Sequence, residues 1–215
     1  MNLFINWFDH PDPKRAKEMG HCLTENIKHP LIERILIFNE SKVKGPLREK
    51  CIEIGNHRPT YHDFFEATRD YPHDINIIAN SDIRFNGTLE KANKIAPRQC
   101  FAITRHEWIG DGVVDFQSHN NAPAGWSQDV WIFRGHANIG NCDTVLAQNQ
   151  VTKMYDIIKF HLGIGGCDNV IAKQIFRSGY SVLNPYQDIV CIHHHKEDSR
   201  PEYSHRITGI AHPRS

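Results

Sequence analysis

"INIIANSDIRF" (residues 75–85) is the stretch on which the reading of this chain turns. "INIIA" has the length and character of a buried strand. It stops at Asn80, Ser81 and Asp82, and apolar residues resume at Ile83 and Phe85. A carboxylate at such a point has two readings. Asn, Ser and Asp are ordinary turn residues, because their side chains bond to nearby backbone. Alternatively, Asp82 stands beyond the carboxyl end of a parallel strand, where open α/β sheets bind ligands, and there it meets a metal and a phosphate.

The flanking sequence favours such a sheet. "NLFINWF" (2–8), "RILIF" (34–38), "CIEI" (51–54) and "CFAITR" (100–105) read as further strands. Between them, Ala16, Met19, Leu23 and Ile27 recur at helical spacing over 14–27. A helix is predicted over 60–71 with Thr60 as its cap, and another over 88–95 with Thr88 as its cap. Strand and helix in alternation predict an α/β fold with a mostly parallel central sheet and helices on both faces. The second half is less regular. "VVDF" and "DVWIF" read as strands separated by the loop "QSHNNAPAGWSQ" (117–128), a helix runs from about Asp168 to Gly179, and "DIVCIHHH" (188–195) is a last strand. These form a smaller C-terminal β region. No repeat or linker divides the chain, so one domain spanning 1–215 is expected.

Composition narrows the function classes. Lys+Arg and Asp+Glu are both 25, so no net charge draws the chain to a polyanion and nucleic acid is not an expected partner. None of the six cysteines forms a C-x-x-C pair, which argues against a structural zinc ribbon. Several lie in apolar runs, as small buried hydrophobes of a reducing compartment do. No signal peptide or membrane span is read from the sequence, and a cytoplasmic protein is expected. P-loop, dinucleotide-fingerprint and nucleophile-elbow motifs do not occur.

Three further clusters carry chemistry. In "CIHHH", strand alternation puts His193 and His195 on one face and His194 on the other. Imidazole with carboxylate oxygen suits Mn²⁺ or a similar divalent ion. The plain alternative is a solvated, histidine-rich strand end. In "GGCDN" (165–169), Asp168 is a helix cap, a general base or a grip on sugar hydroxyls. In "GWSQDVWIF" (125–133), Gln128 and Asp129 lie between Trp126 and Trp131, a pattern that suits a sugar, or else Trp131 packs in the core.

Taken in order, "ANSDIRF", "SQDVWIF", "GGCDNVIAKQIFRSGY" and "IHHHKEDSRPEY" resemble the GT-A-fold glycosyltransferases. The likeness is to a small soluble group from bacteria and large viruses that includes a capsid-decorating enzyme of chlorella viruses. The resemblance implies a hexosyl- or deoxyhexosyltransferase with a nucleotide-sugar donor, a UDP-sugar foremost, a glycan or glycoprotein acceptor, and a divalent metal, Mn²⁺ or else Mg²⁺. It implies a nucleotide-binding half over about 1–105 and an acceptor half over about 106–215. Asp82 then stands for the family's Asp-x-Asp motif and touches the metal, while Asn80 and Ser81 face ribose or water. One residue of the histidine run completes the metal site; the resemblance does not fix which of His193, His194 and His195 it is, and the strand alternation above points to His193 or His195. Phe8, Arg58 and Tyr61 reach the donor, and Gln128, Trp131 and Gly166 reach the sugar or acceptor. Asp168 and Asp129 are the catalytic carboxylates. Two departures stand out: Asn80 replaces the first Asp of the metal motif, and Cys167 replaces an acidic residue before Asp168. They motivate a rival expectation, a nucleotide-sugar or carbohydrate-binding module without turnover. A metal-dependent phosphoesterase or nucleotidyltransferase is the third.

Overall fold

The structure is a computed structural model that describes residues 1–41, 49–110, 112–139 and 158–194. Its centre is a seven-stranded sheet in the order β10-β6-β9-β4-β1-β2-β3. The strands are β1 (Asn2–Trp7), β2 (Arg34–Asn39), β3 (Cys51–Gly55), β4 (Ile75–Ala79), β6 (Gln99–Ile103), β9 (Val130–Arg134) and β10 (Ser181–Leu183). β9 pairs antiparallel with both β4 and β6, and every other pairing in this sheet is parallel. A second, four-stranded sheet has the order β5-β11-β7-β8, from β5 (Ile83–Phe85), β7 (His106–Ile109), β8 (Gly112–Asp115) and β11 (Cys191–His193).

The period of two along each strand feeds two cores. Leu3, Ile5, Ile35, Ile37, Ile77, Ile103 and Ile132 face one way, toward Leu23 of α1 (Pro13–Lys28) and Leu89. Phe4, Leu36, Ile78, Ala102, Trp131 and Phe133 face the other way. There they meet Phe64 and Phe65 of α2 (Tyr61–Ala67) and Ile171 and Ile175 of α4 (Cys167–Arg177). A sheet covered on both faces tolerates apolar residues at consecutive positions, which is why its strands read as continuous runs. Each fully buried Leu, Ile or Phe stabilises the fold by about 1.5–3 kcal/mol before entropy is counted.

Local signals set several boundaries. Asp12 caps α1 with Pro13 at the first helical position. Thr60 and Asp63 form a reciprocal capping box on α2, which gives way at Thr68 to a 3₁₀ turn ending at Asp70. The predicted helix at 88–95 is instead a 3₁₀ helix over Gly87–Lys94, and its cap is Asn86, whose side chain accepts from the Thr88 amide. The expected loop at 117–128 contains the short helix α3 (Phe116–Asn120), capped by Asp115. The predicted strand at 100–105 ends at Ile103, and the chain passes through Thr104 and Arg105 into the second sheet. That sheet is not C-terminal as expected: β5, β7 and β8 come from residues 83–115. The central sheet also takes β9 and β10 from beyond residue 105, so it is shared by the two expected halves.

Candidate functional site

The antiparallel strand β9 builds the site. Its first residue, Val130, lies opposite both Ala79, the last of β4, and Ile103, the last of β6. Gln128 and Asp129 therefore enter the sheet where β4 and β6 leave it. The Asn80 amide donates to the Asp129 carbonyl (3.3 Å) and the Asp129 amide to the Ile103 carbonyl (3.1 Å). β11 then comes alongside, with His193 in register with Glu107 of β7 and with Ile83 of β5. The His194 amide donates to the Asp82 carbonyl at 3.0 Å. Segments far apart in sequence are thus fastened by backbone before any side chain is considered.

The side chains form a linked series. Asp82 Oδ2 is 3.1 Å from His193 Nε2 and 2.5 Å from Arg15 Nη2. His193 Nδ1 is 2.7 Å from Glu107 Oε2. Arg105 donates from Nε to Glu107 Oε1 (2.6 Å) and from Nη1 to Asp129 Oδ2 (3.0 Å) and Ser127 Oγ (2.9 Å). Asn80 Nδ2 donates to Asp129 Oδ1 at 2.9 Å, which returns the series to the residue two before Asp82. Glu107, Asp129 and His193 are buried.

These neighbours set the charge states. Burial alone would raise the Asp82 pKa, but the His193 and Arg15 cations outweigh it and hold the carboxyl well below the usual range. Burial would depress His193, but the charge of Asp82 and hydrogen bonds to Asp82 and Glu107 lift it to about 9. Glu107 is held down to about 2 by His193 and Arg105 against its burial. The next histidine faces the other way. His194 stacks on Trp108 (centroids 5.3 Å, planes 13° apart) and accepts from Arg84 Nε at 2.8 Å. Burial and Arg84 push its pKa down to about 4.

Asp168 sits in the first turn of α4, behind Gly166, whose φ of 82° is open to glycine at little cost. It does not cap the helix. Its Oδ2 accepts from the Gln128 amide (3.1 Å) and its Oδ1 from the Asn169 amide (2.9 Å). A helix N-terminus by itself favours an ionised carboxylate, but burial, then the charge of Asp129, raises the Asp168 pKa. Asp129 has both oxygens engaged by Asn80, Arg105 and Ser127, so it is a fixed anion and not an open base.

Other expected contacts are placed differently. Trp131 is 1% exposed in the core, edge-on to Tyr61, so neither ring offers a face to a sugar or base. The Tyr61 hydroxyl meets Cys167 Sγ at 3.7 Å. Arg58 is exposed, Phe8 is half-buried beside His10, and Ser81 is half-buried. Gln128 is buried, donates from Nε2 to the Gly125 carbonyl, and keeps an Oε1 without a partner among the described residues. His195 and the Trp126 side chain lie outside the described residues.

Arg15, Arg105 and Glu107 belong to the site although no motif above contains them. For the last two a signal exists. In "CFAITRHEWI" (100–109), Arg105 and Glu107 are an opposite-charge pair two residues apart, set between the apolar run of β6 and the start of β7. Arg15 has no comparable signal, since a basic residue in a first helical turn is ordinary.

Among the described residues, no three His, Cys, Asp or Glu side chains converge as a metal cage. By donor type, the carboxylate of Asp82 and the imidazole of His193 suit a divalent ion. Asp82 Oδ1 is buried and has no hydrogen-bond partner among the described residues, and His193 Nε2 faces the same carboxylate.

No protein-family model and no curated protein matches the sequence. A solved structure does resemble the fold: the mannosyltransferase PcManGT from Pyrobaculum calidifontis, in complex with GDP-Man and Mn²⁺. The match has a TM-score of 0.53 over 94% of this chain at 14% identity, and spans 57% of that chain. The chain thus has a mixed α/β, GT-A-type glycosyltransferase fold.

Proposed function

We propose that the protein is a metal-dependent glycosyltransferase that moves a sugar from a nucleoside-diphosphate donor to a hydroxyl of a glycan acceptor. The observation that carries this reading is the pairing of Asp82 and His193 beyond the end of β4, with Asp82 Oδ1 buried and without a partner among the described residues. It is supported by the glycosyltransferase fold and by a neighbour that binds a nucleotide sugar and Mn²⁺. A UDP-sugar is the proposed donor and a glycoprotein glycan, as on a viral capsid, the proposed acceptor.

Asp82 and His193 would hold the divalent ion, which neutralises charge on the departing diphosphate when bound. Arg15, beside Asp82, adds a fixed positive charge on the same side. Asp168 is the proposed base. Two backbone amides orient it, and its raised pKa makes it a better proton acceptor than an ordinary carboxylate. Asp129, held on both oxygens, is proposed to face the sugar as a stationary anion. It favours positive charge at the anomeric carbon, because glycosyl transfer passes through an oxocarbenium-like state.

A panel of UDP- and GDP-sugars with Mn²⁺, followed by NMR, tests this reading. Release of nucleoside diphosphate and free or transferred sugar is expected, and Asp82→Ala should remove the Mn²⁺-dependent part of donor binding. A second reading draws on Asn80 and Cys167, which stand where carboxylates were expected. In that case the protein binds nucleotide sugars and releases nothing. Pyrophosphate or inorganic phosphate as product would overturn both.

A further inference from the structure

We infer that Arg105 is a positioning residue for the proton of the site: its charge holds Asp129 as an anion, so that of two neighbouring carboxylates Asp168 is the one that takes up a proton. This rests on the reading of Asp168 as the base.

The two acids are neighbours in the fold. Asp168 Oδ2 accepts the amide of Gln128, the residue before Asp129, at 3.1 Å. Asp129 is 7% exposed and Asp168 is half-buried. Each carboxylate disfavours ionisation of the other, and a proton entering such a pair goes where the partners leave room for it.

Those partners differ. Asp129 Oδ2 accepts from Arg105 Nη1 at 3.0 Å and from Ser127 Oγ at 3.4 Å, and its Oδ1 accepts from Asn80 Nδ2 at 2.9 Å. Arg105 only donates and does not lose its charge. A proton on Asp129 Oδ2 would set O–H against N–H and take from the guanidinium one of its two counter-ions. Asp168 is held instead by two uncharged amides, of Gln128 and Asn169. Burial, then the charge of Asp129, raises its pKa, in agreement with that division. The other titratable groups facing the pair are Tyr61 of α2, Cys167 of α4 and Cys191 of β11. Burial raises all three, Cys167 to about 11, so they keep their protons at neutral pH. Glu107 lies on the far side of Arg105, its Oε1 2.6 Å from Nε. The Arg105 side chain is 12% exposed, and its guanidinium lies 5.1 Å from the centroid of the Phe116 ring, a further hold on the cation.

The rival account is that Arg105 is a strut between β7 and the start of β9 with no say over the proton. Two substitutions separate them. Arg105→Met removes the charge and keeps much of the volume. Arg105→Lys keeps the charge and loses the planar fork that reaches both carboxylates. A strut is lost in both; a charge is lost only in the first.

The readout is ¹³C NMR of the Asp129 and Asp168 carboxyl carbons, titrated in metal-free protein without donor, each assigned by its Asn substitution. In wild type and Arg105→Lys, Asp168 should take up its proton while Asp129 stays ionised. In Arg105→Met, Asp129 should take up a proton at higher pH than in wild type, and Asp168 at lower pH. Asp129→Asn removes the neighbouring charge directly and should also move the Asp168 titration to lower pH. A wild-type protein in which Asp129 takes the proton first overturns the inference without any variant. So does an Arg105→Met protein that titrates as wild type does, or an Arg105→Lys protein that titrates as Arg105→Met does. If Arg105→Met does not fold, the other two variants decide: loss of the wild-type order in Arg105→Lys, or an unmoved Asp168 in Asp129→Asn, overturns it. A protein that releases no nucleoside diphosphate from any nucleotide sugar ends the transferase reading, and the carboxyl titrations still judge Arg105.

Discussion

Asp168→Asn separates the proposed chemical role of this carboxylate from a structural one, because the two effects differ in size. The carboxylate accepts two backbone N–H groups, from Gln128 and Asn169. An asparagine has one acceptor oxygen, so one of those bonds is lost, at a cost of about 0.5–1.5 kcal/mol. An opposing gain offsets this. Burial and Asp129 raise the Asp168 pKa, so its ionised form is disfavoured in the folded state. The linkage sign follows: the stabilisation from this group is present at low pH and is lost as pH rises through its folded pKa. An uncharged amide escapes that loss, and net stability at neutral pH should change by no more than about 1 kcal/mol. Losing a general base costs about two to four orders of magnitude in rate, or about 2.7–5.5 kcal/mol at about 1.36 kcal/mol per decade. Thermal unfolding should therefore shift little while kcat falls at least about a hundredfold with donor Kd unchanged. The wild-type rate should also fall as pH drops through the raised Asp168 pKa, and that limb should vanish in the variant. A folded Asp168→Asn protein with kcat within about threefold of wild type would refute the base, since that is far short of what proton transfer contributes.

Other residues give sharper contrasts between role and packing. His193→Ala should abolish Mn²⁺ binding by isothermal titration, whereas His194→Ala, on the opposite face against Trp108 and Arg84, should retain it and lose only stability. Thr60→Ala breaks the capping box of α2 and should cost about 0.5–2 kcal/mol in a denaturant melt. Trp131→Ala should cost about 3–5 kcal/mol through its cavity; Trp131→Phe should fold and leave the KM for donor sugar unchanged, as a core residue requires.

Much of this protein was legible in local pattern. Apolar runs bounded by turn residues marked β1, β2, β4 and β9, because strands buried on both faces need apolar side chains at every position. Thr60 was readable as a cap, since a hydroxyl before a helix satisfies an amide that the helix leaves open. The period of two was enough to send His193 and His194 to opposite sides. Three-residue strands such as β5 and β10 carry too few positions to show any period. The cap of the 3₁₀ helix was misplaced by two residues because Asn86 and Thr88 are both good cap residues.

What only the tertiary structure decided is which residues meet. The antiparallel entry of β9 brings Asp129 beside Asn80, a separation of 49 residues in sequence. The register of β11 against β7 brings His193 to Glu107 across 86 residues. Burial, then the charge of Asp129, raises the Asp168 pKa even though a helix N-terminus by itself favours the ionised form. Trp131 shows the converse. Beside Gln128 and Asp129 in sequence it read equally as a sugar platform, but it lies inside β9 with its ring in the core, whereas Asp129 precedes the strand at the point where β4 and β6 end. Residue type and period determine what a segment can bury. Contacts, and the charges they set, depend on strand order and register, which no local stretch of sequence encodes.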